Sequence, residues 1–314
     1  MDISTVFIIA VTTSRMIFPG LPAISPASGE SQDAAVAAVR SLTMDLFSGE
    51  KANPLSKAEV TVPDGLRVAG PIQLLIDLKK KPEPANGSES KTRYVVKTYW
   101  GCADEIPQGQ PRVCTSDELP PAQPLEKLPG ASHAYWSSDM DKPLGSDAAA
   151  RGTYRLATNY CGATSIVLDA EQDFLDPIDL ESTPREPDLR KPIKITWKPI
   201  PRALAYLVTA VGGNAAESVN WTSSADPDAS DGLEDRPLTR TEIARLIENK
   251  TLLPADAHSC TIPARVFLGS KSVFVTVTAF GPDKVQTADG IETRVIVRST
   301  AGVPVFGTSY KQSR

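Results

Sequence analysis

Ser272-Val-Phe-Val-Thr-Val-Thr-Ala-Phe280 carries its small apolar residues at every second position. Val273, Val275, Val277 and Ala279 fall on one side of an extended chain, and Phe274, Thr276 and Thr278 on the other. A period of two marks a strand with one face on a core, and the valine face is the one expected inside.

The residues upstream place this strand in a fold. Ile193-Lys-Ile-Thr-Trp197 is followed by Pro199 and Pro201, then by Ala205-Tyr-Leu-Val-Thr-Ala210, and later by Cys260-Thr-Ile-Pro263. A Trp on an early strand, prolines after it, a Tyr on the next strand and an alternating strand ending Ala279-Phe-Gly281 resemble a fibronectin type III domain. The resemblance covers about residues 176–300 and implies an immunoglobulin-like antiparallel sandwich, with Trp197, Tyr206, Val275 and Val277 in one core. Phe274 stands where that family usually has Tyr, which would turn it inward, against the valine face. A helix is inserted before Cys260. Thr239-Arg-Thr-Glu242 reads as a capping box flanked by Leu238 and Ile243, and Ile243, Leu246 and Ile247 form its apolar side.

The first half has the same strand-and-turn texture. Strands are expected at 58–62, 72–78, 93–100, 133–137, 152–160 and 164–169, broken by Pro63-Asp-Gly65, a polar loop over 79–91 and a proline-rich span over 107–129. The fold class is therefore all-β: two tandem antiparallel β-sandwiches, 57–170 and 171–302, with a tail over 303–314. Residues 29–56 read as a helix or linker, because Val36, Val39, Leu42, Met44 and Phe47 have roughly helical spacing. Residues 1–28 read as a signal peptide, from the apolar run Ile3-Ser-Thr-Val-Phe-Ile-Ile-Ala-Val11 and the small-residue stretch around Ser25-Pro-Ala27, although no basic residue precedes the run. The competing reading is a buried N-terminal strand. No later stretch approaches the roughly 20 apolar residues of a membrane-spanning helix, so no transmembrane anchor is expected.

The 314 residues carry a net charge of −5 and no basic block, which disfavours nucleic acid as a partner. His133 and His258 lie far apart in sequence, and no zinc-protease, nucleophile-elbow, phosphate-loop or dinucleotide motif occurs. Ser88-Glu-Ser-Lys91 has the spacing of a lysine-activated serine but sits in the polar loop, so it reads as solvated. Asp226-Pro-Asp-Ala-Ser-Asp-Gly-Leu-Glu-Asp235 offers five carboxylates but misses the EF-hand spacing, and reads as an extended acidic loop without a metal. No catalytic residue, metal ligand or cofactor is assigned.

Exposed aromatics are the usual tools of binding sandwiches. Tyr99, Trp100, Tyr135, Trp136 and Trp221 are the candidates, with Gln108 and Gln110 on the glycine- and proline-rich stretch after Trp100. Cys102, Cys114, Cys161 and Cys260 are disulfide candidates in an oxidising compartment, with Cys102–Cys114 preferred, Cys102–Cys161 next, and Cys260 left for an interdomain bond or a free thiol. The expected function is a non-catalytic binding or structural module, secreted or in the periplasm or cell envelope, with a protein or polysaccharide partner. The alternative is an envelope-polymer hydrolase using dispersed Asp and Glu, which leave no local signature.

Overall fold

The computed structural model describes residues 4–18, 34–35, 37–78, 93–118, 128–140, 144–182 and 187–306. The first half contributes β1 (Thr5–Phe18), β2 (Ala34–Ala35), β3 (Val39–Ser48), β4 (Ala58–Thr61), β5 (Ile72–Gln73), β6 (Leu75–Asp77), β7 (Val95–Trp100), β8 (Arg112–Thr115), β9 (Ser132–Ser137), β10 (Gly152–Thr158) and β11 (Ala163–Leu168). The second contributes β12 (Leu180–Ser182), β13 (Ile193–Trp197), β14 (Ala205–Gly213), β15 (Glu217–Thr222), α1 (Pro227–Ser230), α2 (Arg240–Glu248), β16 (Leu253–Pro254), β17 (Ser259–Ile262), β18 (Ser272–Phe280), β19 (Lys284–Ala288) and β20 (Ile291–Phe306). The chain is all-β in character, and the two α-helices among the described residues lie between β15 and β16.

The strands of the two halves are interleaved. The largest sheet runs β6-β9-β3-β1-β20-β18-β14-β15-β7-β8, so the boundary expected near Ala170 does not divide it. Two further sheets, β11-β10-β4-β5 and β12-β13-β17, supply opposing layers. One apolar cluster runs through all three, with members from Phe7 to Val305. Two pairings in the large sheet are parallel, β1 with β20 and β7 with β15, so the expected purely antiparallel arrangement is corrected.

Of the run expected as an export-signal core, residues 3–11, Thr5 to Val11 lie in β1, at the centre of this sheet. β1 pairs with β20 from Thr5 to Met16 and with β3 on its other side. Thr5, Phe7, Ile9, Val11 and Thr13 are all buried, and this period of two continues beyond the apolar run. The stretch around Ser25-Pro-Ala27 lies outside the described residues. Residues 39–48, expected as part of a helix or linker, form a strand instead: Leu42, Met44 and Leu46 are fully buried while Ser41, Thr43 and Asp45 alternate with them. The apolar Val39 and Phe47, out of phase with Leu42, Met44 and Leu46, gave the wider run its helical spacing and masked that period.

The alternating run settles its own orientation. Val273, Val275, Val277 and Ala279 are 0% exposed and Phe274 is 40% exposed, so the valine face wins. Phe274 lies over Gly302 of β20, where its ring fills the space a side chain would take. Trp197 and Tyr206 are buried with ring centroids 5.5 Å apart, and the Tyr206 hydroxyl accepts from the Ile200 amide at 2.8 Å.

The outer face of the large sheet is covered at one end. Ala205, Leu207 and Phe280 pack there against Leu233, Leu238, Ile243, Leu246 and Leu252, forming a second small core. α2 therefore caps a sheet face. Its Thr239 hydroxyl accepts from the Glu242 amide at 3.1 Å, but the Glu242 carboxylate pairs with Arg236 at 2.7 Å rather than closing the capping box. Beneath lies a buried ion pair, Asp283–Arg298, at 2.8 Å. The Asp283 carboxylate also accepts from the Leu238 and Val297 amides, and Arg298 donates to the Leu233 and Arg236 carbonyls and stacks on Phe280. Burial pushes the Asp283 carboxyl up, and the guanidinium and the two amides pull against it.

The junction between the halves is held by side chains. Arg202, in the turn between β13 and β14, donates to the carbonyls of Ala170, Glu171, Asp173 and Phe174. Charge-assisted bonds of this number fix a segment in place. Arg240 pairs with Glu171 at 2.6 Å, and Gln172 donates to the Pro282 carbonyl.

Candidate functional site

The most distinctive stretch of the sequence, from Tyr99 to Pro111, follows β7. With β8 it forms a hairpin that leaves the first half and adds to the β15 edge of the second. β8 itself lies in the proline-rich span where no strand was expected. Gln110 closes the hairpin, its side chain accepting from the Trp100 amide and donating to the Trp100 carbonyl, both at 2.9 Å. Gln108 is exposed at the turn. Arg112 pairs with Asp228 at 2.8 Å.

Past Trp100 the chain crosses from one layer of the second half to the other. The Gly101 amide donates to Thr222 and the Trp221 indole to Gly101, on the large sheet. The Ala103 amide donates to Thr261 and the Ala264 amide to Asp104, on the β17 side. Between these bonds Cys102 and Cys260 form a disulfide spanning 158 residues of sequence. The preferred pairing Cys102–Cys114 and the next choice Cys102–Cys161 are thus corrected, because the hairpin carries Cys102 against β17. Cys114 and Cys161 are unpaired thiols, both half-buried.

The candidate aromatics separate into two groups. Tyr99, Trp136 and Trp221 are 7%, 6% and 2% exposed, so they are core residues. Burial raises the Tyr99 hydroxyl pKa, against the pull of Lys97, which pairs with Glu217 at 2.7 Å. Trp100 and Tyr135 face outward. Tyr135 stacks on His133, which stacks on Phe47 and bonds Asp45 at 2.9 Å, a ladder along β9 and β3. Sequence reading weighed His133 only against catalytic and metal motifs and missed its neighbours Asp45 and Phe47, because strand pairing, not spacing, brings the three together.

The acidic stretch is folded rather than extended. Asp226 caps α1 by accepting from the Asp228 and Ala229 amides, Leu233 is buried, and Glu234 accepts from the Thr278 hydroxyl. The hydrogen bond from Arg112 holds the Asp228 carboxyl below the usual range. Among the described residues no three His, Cys, Asp or Glu side chains converge on a metal-sized space, and no helix is long and apolar enough to cross a membrane. Ser88 and Lys91 lie outside the described residues.

The outer face of the large sheet is partly covered by α1, whose Ser230 hydroxyl lies 3.4 Å from that of Thr222. Across β7, β15, β14 and β18, one row reads Trp100, Thr222, Thr209, Thr276 and the next Thr98, Asn220, Val211, Phe274. Phe274 and Val211 are exposed, Thr222 is buried and the others are half-buried. No family model, no curated protein and no solved structure matches the chain.

Proposed function

We propose that this chain is a non-catalytic binding or structural module of an extracytoplasmic space, secreted or held in the periplasm or cell envelope, with a protein or polysaccharide partner. The observation that carries the reading is the Cys102–Cys260 disulfide, since such bonds persist where the surroundings are oxidising. The layout of the second half supports a fibronectin type III-like identity for it. β12-β13-β17 opposes β15-β14-β18-β20, the strand order of that sandwich, with Trp197 and Tyr206 between the layers. Export in this reading does not involve cleavage near Ala27, which would remove β1 from the centre of the sheet.

Cell fractionation of the native protein, with alkylation of free thiols before lysis, tests the proposal. The expected result is protein outside the cytosol with Cys102 and Cys260 protected and Cys114 and Cys161 modifiable after denaturation. Cytosolic protein with all four cysteines alkylated would sink it.

A further inference from the structure

We infer that the Cys102–Cys260 disulfide is a redox latch, which holds residues 102–105 as a strap along the edge of β17 and opens by attack at Cys102. The inference goes beyond the binding-module reading and concerns how the chain responds to a reductant.

β17 is an outer strand of the sheet β12-β13-β17, and among the described residues no strand lies beyond it. The strap takes that place. The Ala103 amide donates to the Thr261 carbonyl at 3.1 Å and the Ala264 amide to the Asp104 carbonyl at 2.9 Å, on either side of the cross-linked pair. Covering an edge in this way withholds its backbone groups from other chains. The strap is anchored at its start, where the Gly101 amide donates to the Thr222 carbonyl on the large sheet. Gly101 has a φ of +86° and open space where a side chain would stand, so the chain turns there on a glycine.

The two cysteines are placed unequally. Cys260 is 3% exposed and belongs to the core, whereas Cys102 is exposed, as are Asp104 and Glu105 after it. A thiolate approaching from solvent therefore meets Cys102. In the opening step a thiolate of a dithiol reductant bonds to the Cys102 sulfur, and the bond to Cys260 breaks. The Cys260 sulfur leaves with the electron pair and takes up a proton. The reductant's second thiolate then displaces Cys102, leaving two cysteine thiols and an oxidised, cyclic reductant. Burial favours the neutral thiol at Cys260, so closure by the reverse exchange starts from the Cys102 thiolate. The strands on both sides keep their partners throughout, β17 on β13 and β7 on β15.

The test treats the intact, oxidised protein under native conditions with reduced glutathione, which has one thiol, and separately with dithiothreitol. Peptide mass spectrometry should find glutathione on Cys102 and not on Cys260. After dithiothreitol, iodoacetamide should label Cys102 about tenfold faster than Cys260. Hydrogen exchange in the peptides that contain Ala103 and Ala264 should quicken about tenfold, while peptides from β1 and β20 and the far-ultraviolet ellipticity stay those of the oxidised protein. Cys102→Ser paired with Cys260→Ala should show the same rapid exchange without any reductant. The inference is overturned if the bond yields only when the whole protein unfolds, or if glutathione is found on Cys260. It is overturned equally if Ala103 and Ala264 stay protected in the reduced wild type, which would assign the strap to its backbone bonds. These outcomes are separate from cellular location: a cytosolic protein defeats the export reading whatever the exchange rates show.

Discussion

Inward-facing positions on the alternating strand and its neighbours hold side chains fully enclosed by the core. Trp197 shows what such a position is worth. It is fully buried and packs on Tyr206, so Trp197→Ala should cost about 3–5 kcal/mol in denaturant melts, from lost contacts and the cavity left behind. Its indole N–H has no partner in the core. Trp197→Phe therefore gives up apolar contact but no hydrogen bond, and should cost less than half as much. Equal losses for the two variants would show that the site depends on the N–H. Phe274 was ambiguous for a physical reason. The family pattern turned it inward and the valines turned it outward, and the deciding neighbour, Gly302, comes from a strand whose register the sequence does not announce.

At the scale of elements, legibility depends on whether the signal is local. α2 was found from its cap and its apolar side, both contained within a few residues. β1 and β3 were misassigned because an apolar run suits a signal core as well as a central strand, and only the distant partner β20 decides between them. The hairpin of β7 and β8 was read in part, its docking on β15 not at all. The outer contact of that hairpin, Arg112–Asp228, has a definite pH signature. The partner guanidinium lowers the Asp228 pKa, so the native state binds this proton less readily than the unfolded chain. The contribution is thus present above the ordinary aspartate range, near 3.9, and is lost as pH falls through the lowered value. Both side chains are more than half exposed, which limits the pair to about 1 kcal/mol or less. Asp228→Asn should be slightly less stable than the wild type at pH 7, with the gap closing as pH falls below the ordinary aspartate range in paired urea melts. A gap that widens on acidification would contradict the assigned direction.

For the molecule as a whole, the sheet order bears on how the chain unfolds. Composition and turn spacing indicated an all-β protein, but they read as two units in series. In the structure β1 of the first half pairs with β20 of the last, and the hairpin carrying β7 and β8 completes the β15 edge. Neither half keeps all its strand partners without the other. Arg202 and Arg240 hold the segment after Ala170 where a flexible linker would otherwise allow independence. Unfolding should therefore be one cooperative transition, seen at the same urea concentration by far-ultraviolet ellipticity and by tryptophan fluorescence. The disulfide adds to this unit rather than creating it. Joining residues 158 apart in sequence restricts the unfolded chain, worth about 5 kcal/mol in the chain-entropy model and about 2–4 in typical measurements. Cys102→Ser paired with Cys260→Ala should accordingly lower the midpoint by that lost stability while the transition stays single, because the pairing of β1 with β20 is untouched. Two separated transitions in the oxidised wild type would mean that the halves fold independently and that the shared sheet does not couple them. Separation in the cysteine variant alone would assign the coupling to the cross-link instead of the strands.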